Sequence, residues 1–371
     1  MELQVIRYEQ VPLGKPLPCN IYDREGRLLL KANEVVHSHR QLEELRVDGL
    51  FIPKHEKAEP PPEPPKQSPF TLLDPLPAHV ERLYGHMSVE PNFPGRTNAV
   101  AKIIQEACSL DQDACVGWLF LHTGARYVIA HPIHVAILSE LVARHLGWPV
   151  EERLVLLNAA LTMNIATLVL QHKLHQQAAP LLPPQLAQMR EHSTQGVELL
   201  QQLGVTNAAW LAAVLQHHER FDGGGYPAGL SAESLAREAR LIAVADVYAA
   251  LVTEHAHRHA YTANAALKEI YLQRGKQLDS HMTEMLIKVI GVFPPGSFVK
   301  LANGEIAVVT RHGPTPTAPV VHSFVNPRGQ AINVYPKREC VHAEFAIKEV
   351  LRASEVNVTL NNKAMLWMHK T

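Results

Sequence analysis

The residues best suited to chemistry lie in one short stretch, His217–Pro227, which reads HHERFDGGGYP. Two adjacent histidines follow an apolar run, and a neutral imidazole nitrogen binds divalent metals near neutral pH. The three glycines allow backbone conformations with positive φ and let a ligand come close to the chain. Pro227 then fixes the direction in which the chain leaves the loop. The stretch therefore predicts a helix end that presents ring nitrogens, followed by a tight loop that could cover a bound molecule.

This string resembles the signature of the HD-GYP family, metal-dependent phosphodiesterases that open the bacterial second messenger cyclic di-GMP. The signature reads HHExxDGxGYP, and each of its fixed positions is present here. The resemblance covers residues 120–300 and is strongest at this motif. It implies that the following loop residues contact a ligand or a partner protein: Asp222, Gly223, Gly225, Tyr226 and Pro227.

The resemblance also implies a set of metal ligands drawn from separate helices. The matching positions are His131, His192, His217, His218 and Asp246. Asp246 lies in an apolar helix, where an ionised carboxylate is costly unless it is paired or bound to a metal. Its position therefore favours a metal ligand or a buried hydrogen bond over a solvent-exposed carboxylate.

Three other positions depart from the family pattern. Where the family has a His-Asp pair followed by a lysine, this chain has Met163, Asn164 and Thr167. A thioether is a soft, neutral donor that suits iron, manganese or magnesium poorly, and a neutral amide bridges two cations poorly. Tyr127 also stands where some members have a glutamate ligand. The sequence leaves open a site with one divalent ion, which we expect over two, and an empty pocket of hydrogen-bonded histidines.

The nucleotide-binding positions are altered as well. The family usually has arginines near His259–Thr262, and here that segment reads HAYT. Since the arginine guanidinium suits phosphate well, we expect weakened binding of cyclic di-GMP, with Arg258 a partial substitute. The alternating His255, His257 and His259 are expected to form a solvated loop.

Three functional readings follow from these observations. The first is a degenerate phosphodiesterase that acts by binding cyclic di-GMP, a diguanylate cyclase domain or another signalling protein. The second is an active cyclic di-GMP phosphodiesterase with a reduced metal centre, and the third is a purely structural role for the histidines. The changes at Met163, Asn164 and Thr167 favour the first reading and leave enzymatic activity undecided.

Helices must position these residues, because residues 70–292 show helical periodicity and no alternating strand pattern. The resemblance implies an HD-superfamily helical bundle, so the fold class is mainly α. Residues 1–55 predict a small α+β module, and residues 56–69 form a proline-rich linker. Residues 293–371 predict a small β appendage and tail, with a hairpin at Asn303–Gly304 and a strand at Gln330–Tyr335.

The composition excludes some classes of function. The 371 residues contain 35 Lys+Arg and 36 Asp+Glu, and this balance argues against DNA binding. Glu152–Leu170 is apolar but interrupted by polar residues, so we expect a buried helix and no membrane span. The N-terminus lacks a signal-peptide pattern, and we expect a cytoplasmic bacterial protein. A homodimer is compatible with the sequence, which does not identify the oligomeric state.

Overall fold

The computed structural model describes residues 3–7, 10–43, 49–53, 68–256, 258–332, 334–356, 360 and 363–368. The chain divides into two compact units, residues 1–67 and 68–371. The predicted linker lies outside the described residues except for Ser68 and Pro69, which begin the first helix of the second unit.

The first unit contains a small antiparallel sheet with strand order β1-β4-β2-β3. Its elements are β1 Leu3–Ile6, β2 Ile21–Tyr22, β3 Leu28–Leu30, α1 His39–Glu43 and β4 Leu50–Pro53. The carboxylate of Asp23 accepts hydrogen bonds from the backbone N–H groups of Glu25 and Arg27, which closes the turn between β2 and β3. The small α+β module expected at the N-terminus is confirmed.

The second unit is built mainly from helices around one hydrophobic core. They are α2 Pro69–Leu73, α3 Leu76–Gly85, α4 Phe93–Leu110, α5 Gln112–Leu121, α6 Tyr127–His145, α7 Val150–Thr162, α8 Leu168–His175, α9 Pro183–Gln202, α10 Ala208–Gln216, α11 Arg237–Leu251, α12 Ala263–Gln273 and α13 Ser280–Ile290. The helix α6 packs against α4, α7, α11 and α13, so it lies at the centre of the bundle. The mainly α fold is confirmed.

The helix expected at Glu152–Leu170 is not continuous. Helix α7 ends at Thr162, and a single 3-10 turn, Ile165–Thr167, separates it from α8. The whole segment Val150–His175 is long and apolar enough to cross a membrane by length and composition, but 67% of its apolar window is buried inside the fold. That burial fits a core helix.

A five-stranded antiparallel sheet follows the helices, with strand order β8-β7-β6-β5-β9. Its strands are β5 Phe298–Leu301, β6 Ile306–Arg311, β7 Val320–Val325, β8 Lys337–Glu339 and β9 Ile347–Leu351. The turn between β5 and β6 contains Gly304 at φ 90°, as the Asn-Gly pair predicts. The sheet packs on α5, where Arg311 forms an ion pair with Asp111. The expected β appendage is confirmed.

The prediction of a strand at Gln330–Tyr335 is wrong. The described residues of this segment make only an isolated bridge between Val325 and Ala331, and the strand that pairs with β7 is Lys337–Glu339. The side chain of Asn326 accepts hydrogen bonds from the N–H groups of Arg328 and Gln330, which holds a turn there. Pro336, which has no N–H to donate to a ladder, precedes the observed strand.

Candidate metal centre

Four helices bring the five predicted ligands to one region. His131 lies on α6, His192 on α9 and Asp246 on α11. His217 is the C-cap residue of α10, and His218 follows it. The helix-end geometry expected for the histidine pair is therefore present.

Three of these histidines form a compact cluster. His192, His217 and His218 each offer a ring nitrogen, and these atoms lie within 4.8 Å of one another. The Nε2 atoms of His192 and His217 are 3.1 Å apart. Burial lowers the pKa of His218 to about 4 and also lowers the pKa values of His192 and His217, so neutral rings are favoured.

Two backbone hydrogen bonds fix the tautomers of the closest pair. Nδ1 of His192 donates to the carbonyl of Met189 at 2.5 Å, and Nδ1 of His217 donates to that of Val214 at 2.6 Å. Since a carbonyl only accepts, each Nδ1 carries the proton, and in neutral rings each Nε2 then presents a lone pair. Two lone pairs 3.1 Å apart repel unless a cation or a proton lies between them. Metal-binding histidines are typically oriented by such second hydrogen bonds, so this cluster fits a metal ion.

The other two predicted ligands pair with each other. Nε2 of His131 donates to Oδ1 of Asp246 at 2.6 Å, and both side chains are largely buried. Burial alone would raise the pKa of Asp246, but the hydrogen bond from His131 and the nearby imidazoles hold it well below its usual range. The charged carboxylate therefore balances the positive charge of any bound ion. The predicted ligands thus form a three-histidine cluster and a His-Asp pair.

The departures from the family pattern lie beside the cluster, where α7 ends. Met163 is fully buried as the C-cap residue of α7, and Thr167 donates a hydrogen bond to the backbone carbonyl of Asn164 at 3.3 Å. Gly196 lies one turn beyond His192 on α9, and a Cβ there would be 3.9 Å from the Met163 carbonyl oxygen. The side-chain oxygen of Asn164 is buried and has no hydrogen-bond partner among the described residues. Such an orphaned oxygen is compatible with a cation nearby but supplies no negative charge.

The glycine loop lies against the cluster through Tyr226, whose ring stacks on His218 at 4.9 Å between centroids. Gly223 has φ +80°, and a Cβ on Gly225 would lie 2.3 Å from the backbone nitrogen of Arg220. Asp222 accepts a hydrogen bond from the N–H of Gly224 at 2.9 Å. The Tyr226–Pro227 peptide bond is cis. The glycines are therefore required for a loop this tightly folded.

One residue that holds this loop was not predicted. The buried carboxylate of Glu219 accepts hydrogen bonds from the N–H groups of Ala228 at 2.7 Å and Leu230 at 3.1 Å. Glu219 is the glutamate of the HHE triplet. An acidic residue next to two metal-binding candidates invites interpretation as a ligand, but here it closes the far side of the loop.

A stack of rings at the edge of the site was also not predicted. Tyr127 stacks on His131 with centroids 4.8 Å apart and on His175 with centroids 4.5 Å apart. His255 meets the edges of both Tyr127 and His175. The position where some family members have a glutamate is therefore occupied by an aromatic ring packed between imidazoles.

The loop after α11, which contains the arginine and the alternating histidines, differs from the solvated loop that the sequence predicts. Arg258 donates to the carbonyl of Ala250 at 2.7 Å, so its guanidinium caps the C-terminus of α11. His255 packs into the ring stack, whereas His259 is exposed and pairs with Glu254 at 2.6 Å. His257 lies outside the described residues. His255 is thus not part of a solvated loop.

Comparisons with known proteins agree with this architecture. A sequence profile described as the HD domain matches residues 103–282. The chain is similar to the cyclic di-GMP phosphodiesterase PA4108 of Pseudomonas aeruginosa, with 28% identity over 59% of this chain and 53% of that protein. The cyclic di-GMP phosphodiesterase response regulator RpfG of Xanthomonas campestris is 35% identical over 40% of this chain and 39% of its own length. For the cyclic di-GMP phosphodiesterase PdeB of Borreliella burgdorferi the identity is 22%, over 65% of this chain and 64% of that protein.

A solved structure shares the fold. Bd1817, an HDG"Y"P protein from Bdellovibrio bacteriovorus, has a TM-score of 0.52 and 16% sequence identity, covering 78% of this chain and 99% of that one. The second unit therefore contains an HD domain. Within that class, the chain is similar to the HD-GYP family through the HHExxDGxGYP signature at His217–Pro227 and through relatives named cyclic di-GMP phosphodiesterases. It spans less than two thirds of the length of each of the three curated relatives.

Proposed function

We propose that this chain is a degenerate HD-GYP protein of bacterial cyclic di-GMP signalling, which holds one divalent ion and acts mainly by binding. The curated relatives described above are named cyclic di-GMP phosphodiesterases. In this chain we expect phosphodiesterase activity to be weak or absent. A cytoplasmic location belongs to the same proposal.

The observation that carries the proposal is the identity of the residues where α7 ends. A two-metal phosphodiesterase needs an anionic oxygen that bridges the ions, and the ions then supply a hydroxide near neutral pH and neutralise the phosphate. Met163 and Asn164 occupy the places of the ligand pair and provide a buried thioether and a neutral amide. Asp246, the carboxylate that remains, already accepts a hydrogen bond from His131. The donors that remain suit one iron, manganese or magnesium ion better than two.

The nucleotide-binding residues support weak binding of cyclic di-GMP. The expected arginines are absent from His259–Thr262, and Arg258 is used at the end of α11. Partner binding is then assigned to the glycine loop, Asp222–Pro227, whose shape Glu219 maintains from within. A diguanylate cyclase domain or another signalling protein is the proposed partner, and the net charge of −1 argues against DNA.

The second candidate is an active phosphodiesterase with a reduced metal centre. The facing Nε2 atoms of His192 and His217 support it as well as the first candidate, because hydrolysis also requires a bound ion. Turnover decides between the two candidates.

The test is hydrolysis of cyclic di-GMP by purified protein with excess Mn²⁺ or Fe²⁺ under reducing conditions, with products resolved by chromatography. The double variant Met163→His/Asn164→Asp is assayed beside the natural sequence, and Met163→Leu/Asn164→Gln serves as a control that alters the same positions without adding ligands. We expect turnover only in the His/Asp variant. Turnover by the natural sequence to the linear dinucleotide or GMP would overturn the proposal in favour of the second candidate.

A further inference from the structure

An uncharged pocket with aromatic walls lies beside the metal centre. Its volume is about 560 Å³, and the rings of Tyr127, His175 and His255 all line it. His175 and Tyr127 are nearly parallel, at an interplanar angle of 7°, and His255 meets His175 at 64°. Because His131 and His175 cover the two faces of Tyr127, the rings that can present a face to a ligand in this pocket are His175 and His255.

The remaining lining is apolar with amide groups. Leu174, Leu181 and Met189 supply the apolar surface, and Gln171 and Gln177 supply amides. Among the described residues that line the pocket, none has a carboxylate, an ammonium or a guanidinium group. Such a lining suits a neutral planar group with hydrogen-bonding edges and offers no charge to a phosphate.

The pocket shares its framework with the metal centre. Tyr127 separates His175 from His131, on which it also stacks. Met189 lines the pocket, and its carbonyl accepts the hydrogen bond that orients His192. The pocket and the histidine cluster are therefore built on two residues in common, Tyr127 and Met189.

We propose that this pocket is a subsite for the purine base of a nucleotide bound at the metal centre, with His175 and His255 as the rings that contact the base and Tyr127 as the ring that supports His175 from behind. The proposal rests on the function proposed above, since it takes the ligand to be a guanine nucleotide. Stacking of a base on aromatic rings is worth about 1–3 kcal/mol, and the two fused rings of a purine cover more aromatic surface than the single ring of a pyrimidine. It provides affinity that does not depend on the missing arginines.

The test is calorimetric titration of the full chain with GMP, CMP and ribose 5-phosphate, with Mn²⁺ and again after treatment with EDTA. We expect GMP to bind at least tenfold more tightly than either of the others under both conditions. His255→Ala should weaken GMP binding at least tenfold, a change of about 1.4 kcal/mol, and leave the affinity for ribose 5-phosphate unchanged. His259→Ala removes an exposed imidazole four residues away and serves as the matched control.

Tyr127→Phe and Tyr127→Leu separate a loss of stacking from a loss of folding. The phenylalanine variant should bind GMP like the natural chain, and the leucine variant should bind it as weakly as His255→Ala while still unfolding in a single cooperative thermal transition above the assay temperature. Unchanged GMP affinity in His255→Ala, or CMP or ribose 5-phosphate binding as tightly as GMP, would overturn the subsite. Metal content, measured separately by mass spectrometry, tests the proposed metal centre, so the failure of one proposal is distinguishable from the failure of the other.

Discussion

Replacing His217 with asparagine should abolish most of the stabilisation that a divalent metal gives to this protein. In the natural chain the Nε2 atoms of His192 and His217 face each other at 3.1 Å with their protons held on Nδ1. A cation between them relieves that repulsion and binds only the folded state. His217→Asn removes one of the two facing nitrogens and keeps a side chain that can still donate to the Val214 carbonyl.

The expected size of the metal-induced stabilisation follows from the coupling between metal binding and folding. A metal at 100 times its dissociation constant stabilises the folded state by about 2.7 kcal/mol. For the unit formed by residues 68–371 that corresponds to a rise in melting temperature of about 4 °C. Loss of a direct ligand should weaken metal binding at least as much as the upper limit of about 100-fold found for outer hydrogen-bonding partners. At the same metal concentration the stabilisation of the variant then falls to about 0.4 kcal/mol, a shift of about 0.6 °C.

The assay is differential scanning calorimetry of each protein in EDTA and in excess Mn²⁺, comparing the metal-induced shift within each variant. Any cost of the substitution to the metal-free fold cancels in that comparison. His281→Asn makes the same change at an exposed position on α13 and should keep the full shift. A shift in His217→Asn equal to that of the natural chain, or no shift in the natural chain, would refute the assignment of the facing nitrogens to a metal site.

Other residues give three further predictions. The hydrogen bond to Asp113 raises the pKa of His312, so the stability it adds is complete below about pH 6.5 and is lost as the pH rises through the folded-state value. His312→Asn should therefore lower the free energy of unfolding by about 1 kcal/mol at pH 5.5 and less at pH 9, measured by urea denaturation; equal losses at both would contradict the pairing. Gly225→Ala should destabilise the fold by about 1–3 kcal/mol, because its Cβ would meet the nitrogen of Arg220; unchanged thermal stability would show that the loop adapts. Asp246→Asn should weaken Mn²⁺ affinity at least tenfold in calorimetric titration, and unchanged affinity would show that its charge does not act on the ion.

Local sequence rules predicted the elements whose signals are contained within a few residues. The Asn303–Gly304 pair predicted the β5–β6 hairpin, and the helical periodicity of residues 70–292 predicted the helices of the second unit. The strand at Gln330–Tyr335 was wrong because its alternation competes with the turn held by Asn326. The break in the helix after Thr162 was missed because neither a proline nor a glycine marks it in the sequence.

The sequence identified which residues belong to the site but not which of them contact one another. The family resemblance supplied His131 and Asp246 as candidate ligands, but only the fold shows that they bond to each other across 115 positions of the chain. The stack of Tyr127 with His175 and His255 depends on α8 and the loop after α11 meeting at α6. No spacing rule relates residues brought together by tertiary packing. The buried role of Glu219 within the HHE motif likewise depends on the path of the loop.

The number of metal ions bound per chain tests most directly the claim that the centre is reduced. Protein reconstituted with Mn²⁺ or Fe²⁺ without oxygen, freed of excess metal by gel filtration, is analysed by inductively coupled plasma mass spectrometry. We predict one ion per chain for the natural sequence and a second ion in Met163→His/Asn164→Asp, since the variant restores a nitrogen donor and an anionic oxygen. Two or more ions per chain in the natural sequence would contradict the claim, because it would show that His131, His192, His217, His218 and Asp246 suffice for a full centre.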